Sequence, residues 1–259
     1  NTANKEVLSA HLKHCVNNAE SGDERNSKID EFIKRELPDK IKIAAVAKVD
    51  VKKIVPSNPV KPKVTSNNKN MIVAIGASTG GPEALESVLR GFGPDIPGVV
   101  IVQHMPARFT EKFAKRLDQE CSVHVKEAKS GDVVMPGQVL IAPGGETHMQ
   151  LIRVNGVYQV VCKPAEKVNG HRPSVDVLFH SVASVAKKNA LGIILTGMGG
   201  DGAQGLLAMR NAGAKTIGQS EASCAVYGMP RVAYEIGAVE YQEHLMDIPE
   251  RTYELINKM

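Results

Sequence analysis

The chain has 259 residues, 42% of them hydrophobic and 23% charged, enough for about 1.7 domains of ~150 residues and for a sizeable buried core. Its net charge of +4 belongs to the first quarter: residues 1–70 hold 14 Lys and Arg against 9 Asp and Glu, and residues 71–259 hold 18 against 19. A near-neutral body with no Trp and few aromatics lacks a base-stacking platform, and no run approaches the ~18 consecutive apolar residues of a membrane span.

In chain order, residues 1–50 are polar and rich in lysine and glutamate, with one amphipathic stretch around IDEFIKREL. Residues 1–36 build no apolar signal-peptide core. Residues 51–70, VKKIVPSNPVKPKVTSNNKN, carry five Lys, three Pro and four Asn with no acidic residue. Proline there breaks regular structure and the apolar periodicity is missing, which predicts a solvated linker.

From Met71 the texture changes. MIVAIG, GVVIVQ, QVLIAP, LGIILTG and AKTIGQ are short β-branched runs bounded by Gly, Pro or polar residues, the pattern of strands buried on both faces. Helical patterns lie between them at Pro82–Arg90, Phe109–Glu120, Val175–Lys187 and Gly202–Asn211. The alternation predicts an α/β fold with a doubly wound, mostly parallel sheet covered by helices on both faces. In MQLIRV-NG-VYQVVC, Asn155-Gly156 separates two alternating runs, which predicts an antiparallel hairpin attached to that sheet.

Ligands of open parallel sheets bind at the carboxyl ends of the strands, and three strand ends carry unusual residues. GASTG fits G-x-S-x-G and projects Ser78; read alone, the same turn suits a phosphate or dinucleotide. His104 closes GVVIVQ before Pro106, where a histidine is also at home as a structural residue. Asp201 follows LGIILTG in a loop with Gly197, Gly199, Gly200 and Gly202, where it also suits a helix N-cap. Together they supply a nucleophile, a base and an anion to orient the base, and the glycine loops offer open backbone N–H groups for an oxyanion hole. The order Ser…His…Asp differs from the Ser…Asp…His of α/β-hydrolases, so the G-x-S-x-G match does not place the chain in that fold. Cys15, Cys121, Cys162 and Cys224 form no CxxC pair, which argues against a zinc site or disulfide framework and suits a reducing cytoplasm. His11 and His14 lie near Cys15 without a fourth donor. No metal or cofactor is expected.

GASTGGPEAL, VVIVQHMP, IAPGGETHM, NGHRPSVDVLFHSVA, LTGMGGDGA and AVYGMPRVAYEIGAV together resemble the catalytic domain of the chemotaxis protein-glutamate methylesterase (CheB) family, from about Met71 to Met259. The resemblance implies an α/β/α sandwich with a hairpin at one end of the sheet. It also implies hydrolysis of glutamate γ-methyl esters on chemoreceptor cytoplasmic domains, with release of methanol and, in many members, deamidation of receptor glutamines. Carried over by motif, Ser78 is the nucleophile, His104 the base and Asp201 its orienting partner, with the backbone N–H groups of Thr79 and Met198 in the oxyanion hole. In the HRPSVD block, Ser174 reads as a helix cap and Arg172 as a receptor or loop contact.

The family usually carries an N-terminal receiver domain, which needs roughly 120 residues. About 70 precede Met71, and IDEFIKRELPDKIKIAAVAKV resembles a receiver's last helix running into the linker. The expectation is therefore the end of a receiver in residues 1–50 and a catalytic domain over 71–259. Partners implied are methyl-accepting chemoreceptors, and the chemotaxis histidine kinase where a full receiver is present; nucleic acid and membrane insertion are not expected. Two rivals stay open on residues alone. A dinucleotide-binding oxidoreductase would use the GASTGG turn, but it wants an acidic residue where His104 ends the second strand; the other is a catalytically silent receptor-docking domain.

Overall fold

The computed structural model describes Lys63, Val64 and residues 70–259. Residues 1–50 and most of the expected linker lie outside the described residues. Among the described residues, nine strands and six α-helices follow one another: β1 (Ile72–Ala77), α1 (Gly81–Arg90), β2 (Gly98–Gln103), α2 (Phe109–Glu120), β3 (His124–Glu127), β4 (Gln138–Ile141), β5 (Thr147–Val154), β6 (Val157–Pro164), α3 (Val175–Val185), β7 (Ala190–Ile194), α4 (Ala203–Asn211), β8 (Lys215–Gln219), α5 (Met229–Glu235), β9 (Tyr241–Glu243) and α6 (Ile248–Lys258).

Seven strands form one sheet in the order β3-β4-β2-β1-β7-β8-β9. Every pairing in it is parallel; helices supply most of the crossovers that parallel neighbours need, and a loop over residues 128–137 joins β3 to β4. β1 is buried along its whole length, and its side chains alternate between the two faces. Val73 and Ile75 join a cluster with Leu85 and Leu89 of α1, Phe113 and Leu117 of α2 and Ile256 of α6. Ile72 and Ala74 point the other way, into Leu178 and Phe179 of α3, Leu206 and Met209 of α4 and Met229 of α5. Burial on both sides explains why the strand sequence is apolar throughout instead of alternating. Each fully buried Ile or Leu adds about 1.5–3 kcal/mol of hydrophobic stabilisation.

The helix boundaries follow local chemistry. α1 opens at Gly80, a left-handed residue at φ 75°, with Pro82 in its first turn, where a missing N–H costs nothing. α3 opens on Ser174, whose hydroxyl accepts from the Val177 amide at 3.5 Å, as the sequence reading expects.

Three features differ from the sequence reading. The Asn155-Gly156 hairpin pairs β5 with β6 as its own two-stranded sheet and joins the rest through backbone bonds from β6 to the segment before β4 (the Val134 amide to the Tyr158 carbonyl, the Val160 amide to the Asp132 carbonyl) and through side chains: Met149, Leu151 and Val160 enter the cluster around α3, and the Leu151 amide donates to Ser181 Oγ. β3 and β9 are edge strands of four and three residues, too short and polar to show an apolar run. Within the expected linker, the Val64 amide donates to Asp95 Oδ2 at 2.7 Å, Asn257 Nδ2 donates to the Lys63 carbonyl, and Val64 packs against the core. An isolated apolar residue in a polar stretch thus finds a place that no periodicity announces.

Candidate active site

β2, β1 and β7 are neighbours at the centre of the sheet, so their carboxyl ends bring three distant segments together. In the β1–β2 register Ala77 faces Gln103, which sets Ser78 beside His104, one residue beyond each strand. The His104 amide donates to the Ala77 carbonyl, and the Ser78 amide donates to Thr196 O beyond β7. Buried Gln103 fastens the pair: its Nε2 lies 2.9 Å from the Ser78 carbonyl and 3.1 Å from that of His104.

Asp201 arrives from the loop after β7. Its Oδ2 accepts from His104 Nε2 at 2.7 Å, with the two side chains only 8% and 1% exposed. Asp201 also sits on the N-terminus of α3. Oδ2 takes the Val175 amide, and Oδ1 takes the Ser174 hydroxyl at 2.7 Å, Asn169 Nδ2 at 2.8 Å and the Asp176 amide at 3.2 Å. Burial alone would raise this carboxyl, but the bonds from His104, Asn169, Ser174 and Val175 overcome it and hold Asp201 well below the usual carboxylate range. A carboxylate with donors on both oxygens is fixed in charge and orientation. Because Nε2 is committed to Asp201, Nδ1 is the ring nitrogen left to handle a proton, and it is buried without a hydrogen-bond partner.

Ser78 is half-buried and Thr79 exposed. Among the described residues, the amides of Thr79 and Met198 meet no acceptor, and Met198 is 42% exposed. Thr196 braces this edge: its hydroxyl lies 3.0 Å from the Thr79 carbonyl and accepts from the Val226 amide, while its amide donates to Gln219 Oε1. Gly197 is required by close approach, since a Cβ there would lie 2.7 Å from Ser78 Cβ and 2.3 Å from Met229 Sδ.

The structure thus gathers Ser78, His104, Asp201, Thr79 and Met198 at one edge. Arg172 takes a local part, donating from Nε to the Gly145 carbonyl and from Nη1 to the Ala165 carbonyl. Ser174 caps α3 and also binds Asp201. The sequence reading passed over Asn169, Gln103, Thr196 and His171. His171 stacks on His104 with ring centroids 3.8 Å apart and planes 10° apart; burial and the neighbouring His104 lower it to about 4. A histidine two residues after Asn169 in the HRPSVD block was the available signal, but nothing local shows where a loop side chain lands. His148, too, is a supporting residue: Nε2 donates to Glu166 O and Nδ1 accepts the Ser174 amide. Burial pushes the Cys162 and Cys224 thiols up to about 11 and about 12, so they stay protonated at neutral pH. Among the described residues, no cluster of His, Cys, Asp or Glu has a metal-binding arrangement and no helix is long and apolar enough to cross a membrane.

Fold and site define a doubly wound α/β protein with a Ser–His–Asp arrangement on the carboxyl edge of its sheet. Within that class, the model of the CheB methylesterase family matches residues 73–252, and the chain belongs to this family. It is 56% identical over 239 residues to protein-glutamate methylesterase/protein-glutamine glutaminase 2 of Syntrophomonas wolfei, covering 91% of this chain and 68% of the relative. A Bordetella parapertussis protein-glutamate methylesterase/protein-glutamine glutaminase is 57% identical over 180 residues, covering 70% and 51%. The chain therefore spans about half to two thirds of these curated relatives. The crystal structure of the Thermotoga maritima CheB methylesterase catalytic domain superimposes with a TM-score of 0.70 at 39% identity, over 71% of this chain and 98% of that one.

Proposed function

We propose that residues 71–259 form the catalytic domain of an enzyme that hydrolyses glutamate γ-methyl esters on the cytoplasmic domains of chemoreceptors and deamidates receptor glutamines. The observation that carries it is the His104–Asp201 contact at 2.7 Å on the strand adjoining Ser78, in a chain of the CheB methylesterase family. Ser78 Oγ attacks the ester carbonyl while His104 Nδ1 takes its proton. The Thr79 and Met198 amides stabilise the resulting oxyanion. Collapse expels the methoxy group, which leaves as methanol with the proton from His104, and a glutamyl ester stays on Ser78. Water then gives a proton to His104 and attacks this ester; its collapse returns the proton to Ser78 and frees the glutamate carboxylate. A glutamine follows the same path with ammonia as leaving group. Asp201 stays ionised throughout and stabilises the imidazolium.

On this reading the protein works in the cytoplasm in chemotaxis adaptation, with methyl-accepting chemoreceptors as partners and the histidine kinase as partner of any receiver domain. The test is methanol release from methylated receptor. Ser78→Ala is expected to lower turnover by about 10³–10⁶-fold, and near wild-type release by that variant overturns the reading.

A further inference from the structure

Asn169 lies between two buried carboxylates. Its Nδ2 donates to Asp201 Oδ1 at 2.8 Å and to Asp176 Oδ2 at 2.6 Å, so the two protons of one amide nitrogen serve two acids. Asp176 is only 6% exposed. Its other oxygen takes the Gly205 amide at the start of α4, and burial, then the Asp201 charge, raise its carboxyl while Gly205 and Asn169 oppose the rise. Among the described residues, no Lys or Arg is a hydrogen-bond or ion-pair partner of either carboxylate. Two like charges this close in a water-poor site repel strongly, and the Asn169 amide is the side chain that bonds both. The other titratable groups facing the cluster are His104 on Asp201, His171 stacked on His104, and His180 of α3. Lys167 acts on His171 at longer range.

We infer that Asn169 is a positioning residue: its amide bridges Asp176 to Asp201, allows both to stay ionised, and so keeps Asp201 Oδ2 aimed at His104 Nε2. The inference rests on the proposed roles of Ser78, His104 and Asp201. It touches no reacting atom. Its backbone supports this use: Asn169 holds φ 54° and Gly170 φ 77°, and Asn is among the few side chains that accept the left-handed region.

The backbone also dictates the variants. Asn169→Gly deletes the amide while keeping the left-handed turn accessible, and Asn169→Asp is isosteric but replaces two donors with an acid. In the 259-residue chain with methylated receptor, Asn169→Gly is expected to lower kcat by about tenfold or more, the cost of losing a hydrogen bond to a charged group, with little change in KM. Adding Asp176→Asn removes the repelling charge and should restore part of that loss. Asn169→Asp bridges only while the cluster holds an extra proton, so its kcat should fall with rising pH relative to the wild type, a response that loss of folding does not give. A smaller loss in Asn169→Gly, a double variant no better than the single, or an Asn169→Asp profile parallel to wild type overturns the inference. Where Asn169→Gly does not fold, the Asn169→Asp profile decides alone. Wild-type release by Ser78→Ala would instead remove the site reading on which the inference rests.

Discussion

The ring of His171 lies parallel to that of His104, 3.8 Å between centroids and 10° between planes. One face of the base is therefore covered by a second imidazole, which restricts rotation of His104 about the axis that Asp201 already fixes at Nε2.

His171 is expected to stay neutral in the folded protein down to about pH 4. The ordinary value is near 6.5, so between these limits the unfolded chain binds a proton that the folded one does not. Stability therefore falls as pH drops from about 6.5 toward 4. Urea unfolding across this range checks it: His171→Phe, which keeps a flat ring without the titration, should lose less stability than wild type. The same loss in both proteins refutes the assignment.

Asp201 has a dependence of the same sign, set at lower pH. Its carboxyl is depressed in the folded state by His104, Asn169, Ser174 and Val175, so its contribution is complete above the unfolded value near 3.9 and is lost as pH falls through the folded one. Asp201→Asn should be destabilised at pH 7, with the gap to wild type closing only in strong acid. A gap independent of pH down to the acid-unfolded state would contradict this.

Ser174→Ala removes the α3 cap and a donor to Asp201 at once. The expected cost is about 1–2 kcal/mol in unfolding free energy, with kcat lowered by about tenfold. Arg172→Ala loses two bonds to loop carbonyls and leaves Asp201 untouched. Measured side by side, it should disturb KM or stability more than kcat; the reverse order of effects on kcat would count against the arrangement.

Gly197→Ala drives a methyl to 2.7 Å from Ser78 Cβ. Met229 can yield, but Ser78 is tied at its amide and carbonyl, so overpacking is expected to cost about 1–3 kcal/mol and to displace the nucleophile. Turnover should fall by at least about 10²-fold, with a folded product by circular dichroism. Near-normal turnover would show that Ser78 is not held at this spot.

The central strands of the sheet and the three residues at or beyond their ends were legible in the sequence. Strands buried on both faces must be apolar along their length, so MIVAIG, GVVIVQ and LGIILTG declare themselves, and each ends where Ser78, His104 and Asp201 leave it or its loop. Six motif blocks, spread from β1 to the segment after α5, located the family. Tertiary structure alone decided which nitrogen of His104 faces Asp201, because that depends on where a loop 97 residues away is seated. It also decided that Asn169, His171 and His148 support the site. Asn169 and His171 lie where the path of the loop between β6 and α3 takes them, which leaves no period in the sequence, while His148 comes from β5 and meets that loop at Glu166 and Ser174. Short edge strands such as β9, and Val64 against the core, were invisible for a related reason: their partners are supplied by distant residues, so the local pattern carries no sign of them.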